Sequence, residues 1–304
     1  MTPIELGYSA AFGLVKRLPR GVVWPAFAAV ADRGARQYQK NKPGAGTARL
    51  AANLRRVVGD DFPDFDDLVR RALRSYARYY LDAFQLPRRS HEELLTGFRL
   101  EHGERLADDV AAGTGAVVAL PHAGNWDAAG AWVAANGWPI TTVAERLKPE
   151  GVYEKFLNFR RSLGMEIIPT RGGDRPVFDI LEDRLRASSV VPLLADRDLS
   201  ARGVEVELFG GRTKMPAGPA ALALRTGAPL YVASLWFEPD HAAGILEGPL
   251  DLPQDGPLDA RVRTATQLVA DRMAAGIRRH PEDWHMLQRM WLDEPQAAVV
   301  GADL

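Results

Sequence analysis

The 304-residue sequence contains no cysteine. Disulfide bonds, thiolate nucleophiles and cysteine-ligated zinc sites are therefore excluded, and this composition favours a cytosolic compartment. Long apolar runs are also missing, because the longest weakly polar stretch near the N-terminus, Gly21 to Ala31, has 11 residues, whereas a spanning helix needs ~20. Met1 to Tyr8 lacks the basic and then apolar pattern of a secretory signal. We therefore expect neither a membrane span nor a signal peptide.

Several common functional motifs are missing as well. The sequence has no GxxxxGK[ST] loop, and no GxGxxG follows a predicted strand, so nucleotide-binding folds are disfavoured. The absence of a G-x-S-x-G elbow disfavours a serine hydrolase. His280 and His285 lack the spacing of a helical zinc pair. We therefore expect no metal site and no cofactor.

The residues that are present indicate a folded protein with a sizeable core, since 46% are hydrophobic and 25% are charged. The net charge of −1 hides an asymmetry, because residues 1–58 carry ten Lys/Arg against Glu5 and Asp32, a local charge of +8. These cations alternate with apolar residues, which suits helices lying on an anionic lipid surface. Ordinary helices with a solvated basic face remain an equal alternative. Nucleic acid is the less suitable partner, because the rest of the chain is acidic and carries no nucleic-acid motif.

Hydrophobic periodicity predicts an N-terminal helical region over residues 1–86 and an α/β core over residues 87–304. Residues 87–114 are interpreted as a polar transition. From residue 115 onward, predicted strands alternate with predicted helices, which is typical of a single α/β domain with a mostly parallel central sheet flanked by helices. Pro192 lies inside one predicted strand, so we expect that strand to be at an edge or to contain a bulge. The predicted helices are Ser9–Leu18, Trp24–Tyr38, Thr47–Val58, Asp64–Leu86, 125–136, 149–163, Pro176–Ala187, Ala217–Thr226 and Leu258–Arg279, and the predicted strands are Ala116–Leu120, Pro139–Ala144, Met165–Pro169, Ser189–Ala195, Val204–Phe209 and Pro229–Phe237.

The first candidate for chemistry is the junction after the predicted strand Ala116–Leu120. Pro121 ends this strand and Asn125 can cap the following helix, so His122 lies between them and Asp127 in the first helical turn. Ligands of parallel α/β sheets collect at this edge. A histidine with a carboxylate in reach is what a general base requires. Alternatively, His122 is a hydrogen-bonded loop residue, and Asp127 interacts with the helix dipole.

Two further strand ends carry charged side chains to the same predicted edge. Glu145 and Arg146 follow one strand, and Asp196-Arg197-Asp198 follow another. Alternation directs Asp196 and Asp198 to one side and Arg197 to the other, so one aspartate could reach His122. We expect Glu145 and Arg197 to contact substrate; a local ion-pair cluster is the alternative.

Residues 210–219 form a glycine-rich segment with two cations that runs into a helix. This arrangement is typical of an anion site at a helix N-terminus, and equally of a hairpin followed by a helix that opens with proline. With no cysteine and no elbow serine, the histidine, the carboxylates and the cations favour a base-driven transfer without a covalent intermediate.

The block His122-Ala-Gly-Asn-Trp-Asp127 resembles the HX4D motif of the lysophospholipid acyltransferase superfamily, in the HxGNW-[DE] form of the lipid A late-acyltransferase branch. The similarity extends over four more blocks and most of the chain, and it is greatest to the phosphatidylinositol mannoside acyltransferases of actinobacteria. These blocks are Thr142–Pro149, Ala195–Leu199, Phe209–Pro219 and Asp283–Gln288.

The resemblance implies a peripheral enzyme at the cytoplasmic face of the inner membrane. It further implies acyl-CoA as donor co-substrate and the 6-hydroxyl of a mannose on phosphatidylinositol mannoside as acceptor. His122 would be the general base, Asp196 its carboxylate partner, and Arg160 a donor-contacting residue. Arg202 and Arg225 lie near positions that contact CoA. Alternatives are a related acyltransferase with another lipid acceptor or an acyl carrier protein donor, a thioesterase, and a non-enzymatic lipid-binding protein.

Overall fold

The computed structural model describes residue 15 and residues 17–145, 150–170, 175–198 and 203–293. Most of the predicted helix Ser9–Leu18 lies outside these residues. Three long helices form the N-terminal region: α1 (Arg20–Gln39), α2 (Ala45–Val58) and α3 (Phe65–Gln85). Their apolar faces pack together around Leu50, Leu54 and Leu68, which are fully buried. The predicted helices of this region are therefore confirmed within the described residues.

Residues 87–114 are not the polar transition that the sequence predicted. They contain α4 (His91–Thr96), the strand β1 (Phe98–Glu101) and α5 (Glu104–Ala111). The Ser90 hydroxyl and the Glu93 carboxylate form a capping box that starts α4. β1 is short and alternates between buried and exposed residues, so its apolar content was too low for the sequence pattern to indicate a strand.

The central sheet consists of β1, β2 (Ala116–Leu120), β5 (Val190–Leu194), β8 (Leu230–Phe237) and β9 (Ala242–Glu247). Their order is β1-β9-β8-β2-β5, and three of the four pairings are parallel. The predicted α/β class with a mostly parallel sheet is confirmed. β9, which is antiparallel to β8, was not predicted because two alanines and a glycine open it. β2, β5 and β8 are close to their predicted bounds.

β5 is an edge strand of this sheet, as Pro192 predicted. Beyond it lies a separate parallel pair, β3 (Thr141–Ala144) and β4 (Glu166–Pro169). A parallel bridge between Ile140 and Val190 joins this pair to the main sheet. The strand ends of β2, β3 and β5 therefore lie near one another, as predicted.

Of the two interpretations of residues 210–219, the structure shows the hairpin followed by a helix. β6 (Val204–Leu208) and β7 (Gly211–Met215) are antiparallel, and the loop residues Phe209 and Gly210 both have positive φ, which is typical of a two-residue type I′ turn. The helix that follows begins at Gly218. This helix N-terminus does not line the cavity described below.

Helices cover both faces of the central sheet, and each face has its own apolar core. The face that carries Val118 and Leu120 packs against α6 and α7, whereas the face that carries Val117 and Ala119 packs against α8, α9 and α10. These helices are α6 (Trp126–Ala135), α7 (Glu150–Ser162), α8 (Val177–Arg186), α9 (Gly218–Thr226) and α10 (Leu258–Arg279).

Candidate active site

The loop between β2 and α6 has a conformation that its sequence enforces. The Asn125 side chain accepts a hydrogen bond from the Ala128 backbone N–H at 2.9 Å and so caps α6 as predicted. Gly124 has φ +55°, and a Cβ there would lie 2.7 Å from the Leu235 carbonyl carbon. Only glycine fits both constraints. The loop is therefore held tightly between β8 and the start of α6.

His122 lies in this loop and pairs with Asp196. The ring Nδ1 lies 2.7 Å from Asp196 Oδ1, and the His122 backbone N–H donates to Asp196 Oδ2 at 2.9 Å. The register explains the contact, because Leu120 of β2 pairs with Leu194 of β5, and each functional residue follows two positions later. An ionised carboxylate only accepts hydrogen bonds, so Nδ1 carries the proton and Nε2 is left as the basic nitrogen.

Asp196 is fully buried and is held in its ionised form. Burial opposes ionisation, but the charge of His122 and the hydrogen bonds from His122 and Trp284 outweigh it and lower the pKa of Asp196. The His122 side chain, in contrast, is 30% exposed. The pair therefore combines a buried, charged carboxylate with an imidazole that solvent or substrate can reach.

Asp127 has a different partner. Its Oδ1 accepts from Arg160 Nε at 2.7 Å, and its Oδ2 accepts from the Tyr79 hydroxyl at 2.9 Å. Of the two aspartates that the sequence offered as the orienting group, the structure brings Asp196 to His122. Asp127, in the first turn of α6, instead neutralises Arg160.

Arg160 is mostly buried in this ion pair. Burial disfavours its charge, but the Asp127 carboxylate outweighs this and raises the pKa of Arg160 above its usual value. Burial, together with the neighbouring carboxylate, raises the pKa of Tyr79 well above 10. Tyr79 belongs to α3, so the N-terminal helical region contributes directly to the site. The sequence pattern placed Tyr79 only within the predicted helix Asp64–Leu86, and no local signal marked its partner.

A cavity of about 270 Å³ opens beside His122. It runs between α6 and one face of the central sheet and reaches Phe98 of β1 and Leu246 of β9. Its interior is lined mainly by apolar side chains, whereas charged side chains occur at the end near His122. The apolar lining includes Leu100, Leu106, Val118, Leu120, Val133, Ile140, Met165, Leu194 and Leu235.

The charged end of the cavity also contains Glu145 and Arg197, as the sequence predicted for the strand ends. Arg197 is half-buried, and this burial lowers its pKa although Asp196, Glu145 and Asp198 act in the opposite direction. Glu145 is exposed at the end of β3. These two side chains therefore line the same cavity as His122.

The two remaining predicted arginines are not part of this arrangement. Arg202 lies outside the described residues. Arg225 lies in the last turn of α9 and forms an ion pair with Glu182 of α8 at 2.7 Å. Because α9 leads into the N-terminal end of β8, and β8 is parallel to β2, Arg225 lies at the opposite edge of the sheet from His122. The structure therefore does not bring Arg225 to the cavity.

The segment after α10 forms hydrogen bonds with the loop that carries His122. The His285 backbone N–H donates to the His122 carbonyl at 2.7 Å, and the Gly124 backbone N–H donates to the Asp283 carbonyl at 2.9 Å. The Asp283 side chain accepts from the Ser75 hydroxyl at 2.5 Å and from the Phe237 backbone N–H at 2.8 Å. Burial raises the pKa of Asp283 to about 6 and lowers the pKa of His285 to about 3.

The raised pKa of Asp283 predicts a pH-dependent stability difference. In the unfolded chain this carboxyl titrates near 3.8, and in the folded chain near 6, so the folded state binds more protons between these values and stability falls as pH rises. Asp283→Asn cannot ionise. The free energy of unfolding of Asp283→Asn, relative to that of the unmodified protein, is therefore expected to rise by about 2 kcal/mol from pH 4 to pH 7, measured by urea unfolding. A difference that is constant over this range would contradict the prediction.

No three His, Asp or Glu side chains come together as a metal-binding group within the described ranges. None of the helices in the part of the chain that the structure describes has both the length and the apolar character of a membrane span.

Comparison with known proteins agrees with the sequence resemblance. The family described as "Bacterial lipid A biosynthesis acyltransferase" matches residues 7–293. A relative from Mycolicibacterium smegmatis, named phosphatidylinositol mannoside acyltransferase, is 45% identical over 289 residues, which cover 95% of this chain and 91% of the relative. One of the same name from Mycobacterium tuberculosis is 43% identical over 294 residues, covering 96% and 89% of the two chains. The resemblance based on the His122–Asp127 block is therefore confirmed.

Proposed function

Because the chain belongs to the bacterial lipid A biosynthesis acyltransferase family, and is thus an acyltransferase, we propose that it transfers a long acyl chain from acyl-CoA to a mannose hydroxyl of a phosphatidylinositol mannoside. The observation that carries this proposal is the position of the His122–Asp196 pair at the charged end of a cavity with a mainly apolar lining. The cavity suits an acyl chain, and the imidazole suits a hydroxyl nucleophile. The acceptor is taken from the names of relatives that share 43–45% of their residues with this chain.

The proposed reaction is a direct transfer. His122 Nε2 takes the proton from the acceptor hydroxyl while its oxygen attacks the thioester carbonyl, and Asp196 stabilises the imidazolium that forms. The C–O bond forms, the C–S bond breaks, and the proton then passes to the thiolate of the leaving CoA. Arg197 lies at the same end of the cavity, where its positive charge can stabilise the negative charge that develops on the carbonyl oxygen. A stable acyl–protein adduct after denaturation would contradict direct transfer.

The assay that tests this function combines purified protein, radiolabelled palmitoyl-CoA and a panel of acceptors, with the products analysed by mass spectrometry. We expect CoA release only in the presence of mannosylated phosphatidylinositol, together with an acylated mannose in the product. CoA release without acceptor would favour a thioesterase. Transfer from acyl carrier protein but not from CoA, or transfer to an unmannosylated lipid, would favour the alternative acyltransferases. No acyl transfer with any member of the panel would contradict the proposal.

The proposed acyl site predicts that a larger side chain in the cavity shortens the accepted chain. Gly130 of α6 lines the cavity, and a Cβ there would lie 2.6 Å from Met165 Sδ, which lines it too. The leucine side chain in Gly130→Leu therefore occupies space that we assign to part of a long acyl chain. The loss of two buried methylenes costs about 1.6 kcal/mol, so kcat/KM for palmitoyl-CoA relative to octanoyl-CoA is expected to fall about 15-fold.

Gly218→Leu is the control for this prediction, because the Cβ position of Gly218 has open space within 4 Å and Gly218 is not among the cavity-lining residues. We expect no change in chain preference for this variant. Equal losses with both donors in Gly130→Leu would show that the cavity does not hold the acyl chain.

We also propose that α1 binds the protein peripherally to the anionic cytoplasmic face of the inner membrane. Val22 and Val30 are 63% and 73% exposed on α1. At 100° per residue Val22 shares a face with Arg33 and Arg36, both exposed, and this face is opposite to the buried Ala31 and Ala35, while Val30 lies at its edge beside the buried Val23. An apolar and basic face of this kind is typical of an interfacial helix. Arg20, in contrast, lies 3.5 Å from the buried Asp82 and belongs to the fold.

The membrane proposal predicts that charge reversal on α1 weakens vesicle binding. Arg33→Glu, Arg36→Glu and Lys40→Glu change exposed residues. Each cation near an anionic surface contributes about 1 kcal/mol, so the triple variant is expected to bind phosphatidylglycerol vesicles at least about 100-fold more weakly in a flotation assay. The matched control reverses Arg263, Arg272 and Arg278, which are exposed on α10, and should bind as the unmodified protein does. Equal weakening by both triple variants would indicate a non-specific charge effect.

A further inference from the structure

The carboxylate of Asp196 has a third hydrogen-bond donor in addition to the two from His122. The indole Nε1 of Trp284 donates to Asp196 Oδ2 at 3.0 Å. Oδ2 thus accepts from the His122 backbone and from Trp284, while Oδ1 faces the imidazole ring. Both the Trp284 side chain and the carboxylate have an exposed fraction of 0%. Water therefore does not replace this donor when the indole is removed.

The backbone around Trp284 is fixed by distant parts of the chain. Trp284 forms a bridge with Ala123, the residue after His122. On its other side, the buried Asn53 of α2 donates to the Met286 carbonyl at 2.7 Å and to the Gln288 carbonyl at 2.9 Å. The segment that presents the indole to Asp196 is therefore held by contacts on both sides.

We propose that Trp284 is a positioning residue of the reaction: its indole N–H fixes the rotation of the Asp196 carboxylate, so that Oδ1 holds His122 with Nε2 free. This inference rests on the proposed function, because it assumes that His122 acts as the base. Trp284 touches neither the cavity nor a reacting atom. It acts through Asp196, and its loss should affect turnover rather than substrate binding.

The N–H also draws negative charge toward Oδ2 and away from the imidazole. Without this donor, more of the charge faces His122, which favours the protonated imidazole. The acid limb of the kcat–pH profile should then move to higher pH. The other titratable and charged groups around the dyad are His285, Asp283, Arg197, Glu145, Asp198 and the Asp127–Arg160 pair. His285 stays neutral throughout, but Asp283 titrates near pH 6, so the comparison is repeated in the Asp283→Asn background.

The test is Trp284→Phe, assayed with palmitoyl-CoA and phosphatidylinositol mannoside across pH 5–9. Because a hydrogen bond to a charged group is lost, we expect kcat to fall roughly 10–100-fold, with KM for both substrates unchanged and the acid limb shifted upward. Trp291→Phe is the matched control. Trp291 is also buried and donates its indole N–H at 2.8 Å, but to Asn53 rather than to Asp196. It should lose stability and keep the pH profile.

A decrease in kcat that is equal at every pH, or one that Trp291→Phe reproduces, would overturn the proposal. If Trp284→Phe does not fold, 3-benzothienylalanine at position 284 replaces the N–H by sulfur and keeps the bicyclic shape. The same shift of the acid limb is then expected, and an unchanged profile would overturn the proposal. Failure of the proposed function itself is recognised separately, because the unmodified protein would then show no acyl transfer, or His122→Ala would be as active as the unmodified protein.

Discussion

Replacement of His122 by alanine is expected to lower kcat for acyl transfer by 10²–10⁴-fold, the usual contribution of a general base. The reason is geometric, since Asp196 binds Nδ1 at 2.7 Å and leaves Nε2 as the nitrogen that can accept the proton of the hydroxyl. KM for the thioester should change little, because the apolar cavity that we assign to the acyl chain remains intact. The measurement is initial-rate kinetics with both substrates varied.

His91→Ala is the control for this loss, because His91 is an exposed histidine on α4 and does not line the cavity. Asp196→Asn extends the test: an amide can donate as well as accept, so it no longer fixes the tautomer of His122, and a loss of similar size is expected. A purified, folded His122→Ala protein that retains most of its transferase rate would eliminate His122 as the base.

The second large effect concerns stability. Asp127→Ala is expected to lower the free energy of unfolding by about 3–5 kcal/mol, because it leaves the mostly buried guanidinium of Arg160 without its carboxylate. Tyr79 loses its acceptor in the same step. The measurement is urea unfolding at neutral pH. This result would assign the last residue of the HX4D block a structural role at the base of α6.

Two further variants separate the ion pair from a general sensitivity to mutation. Asp127→Leu combined with Arg160→Met removes both charges, so the double variant should recover much of the lost stability. Asp293→Asn breaks an exposed pair with Arg56 and should cost at most about 1 kcal/mol. If Asp127→Ala were instead fully stable, with an altered pH profile of transfer, Asp127 would influence His122 and the ion-pair interpretation would be wrong.

The sequence pattern predicted the elements that carry long or strongly apolar runs. β2, α6 and α10 have almost the predicted bounds, and Pro192 correctly indicated an edge strand. β1 and β9 were not predicted, because one is short with alternating polarity and the other begins with small residues. Such strands are stabilised by their neighbours in the sheet rather than by their own composition.

The site was predictable in part for the same reason. His122 could be located because an apolar run, a proline and a capping asparagine are adjacent in the chain. The sequence could not show which aspartate contacts His122. Asp127 follows His122 by five residues and Asp196 by 74, and sequence separation does not give the distance between side chains in the fold. Tyr79 and Trp284 were not predicted as site residues, since each meets its carboxylate only through packing of distant segments.

By itself, the sequence determined the β2–His122–α6 junction, the helical N-terminal region and the family, because these depend on neighbouring residues or on motif identity. Tertiary structure decided which carboxylate serves the imidazole, through the parallel register of β2 and β5. The tertiary structure also places Arg225 at the opposite edge of the sheet from His122, where it pairs with Glu182 of α8. The physical reason is that hydrogen bonds and ion pairs act over about 3 Å, and only the folded chain sets such distances between residues far apart in sequence.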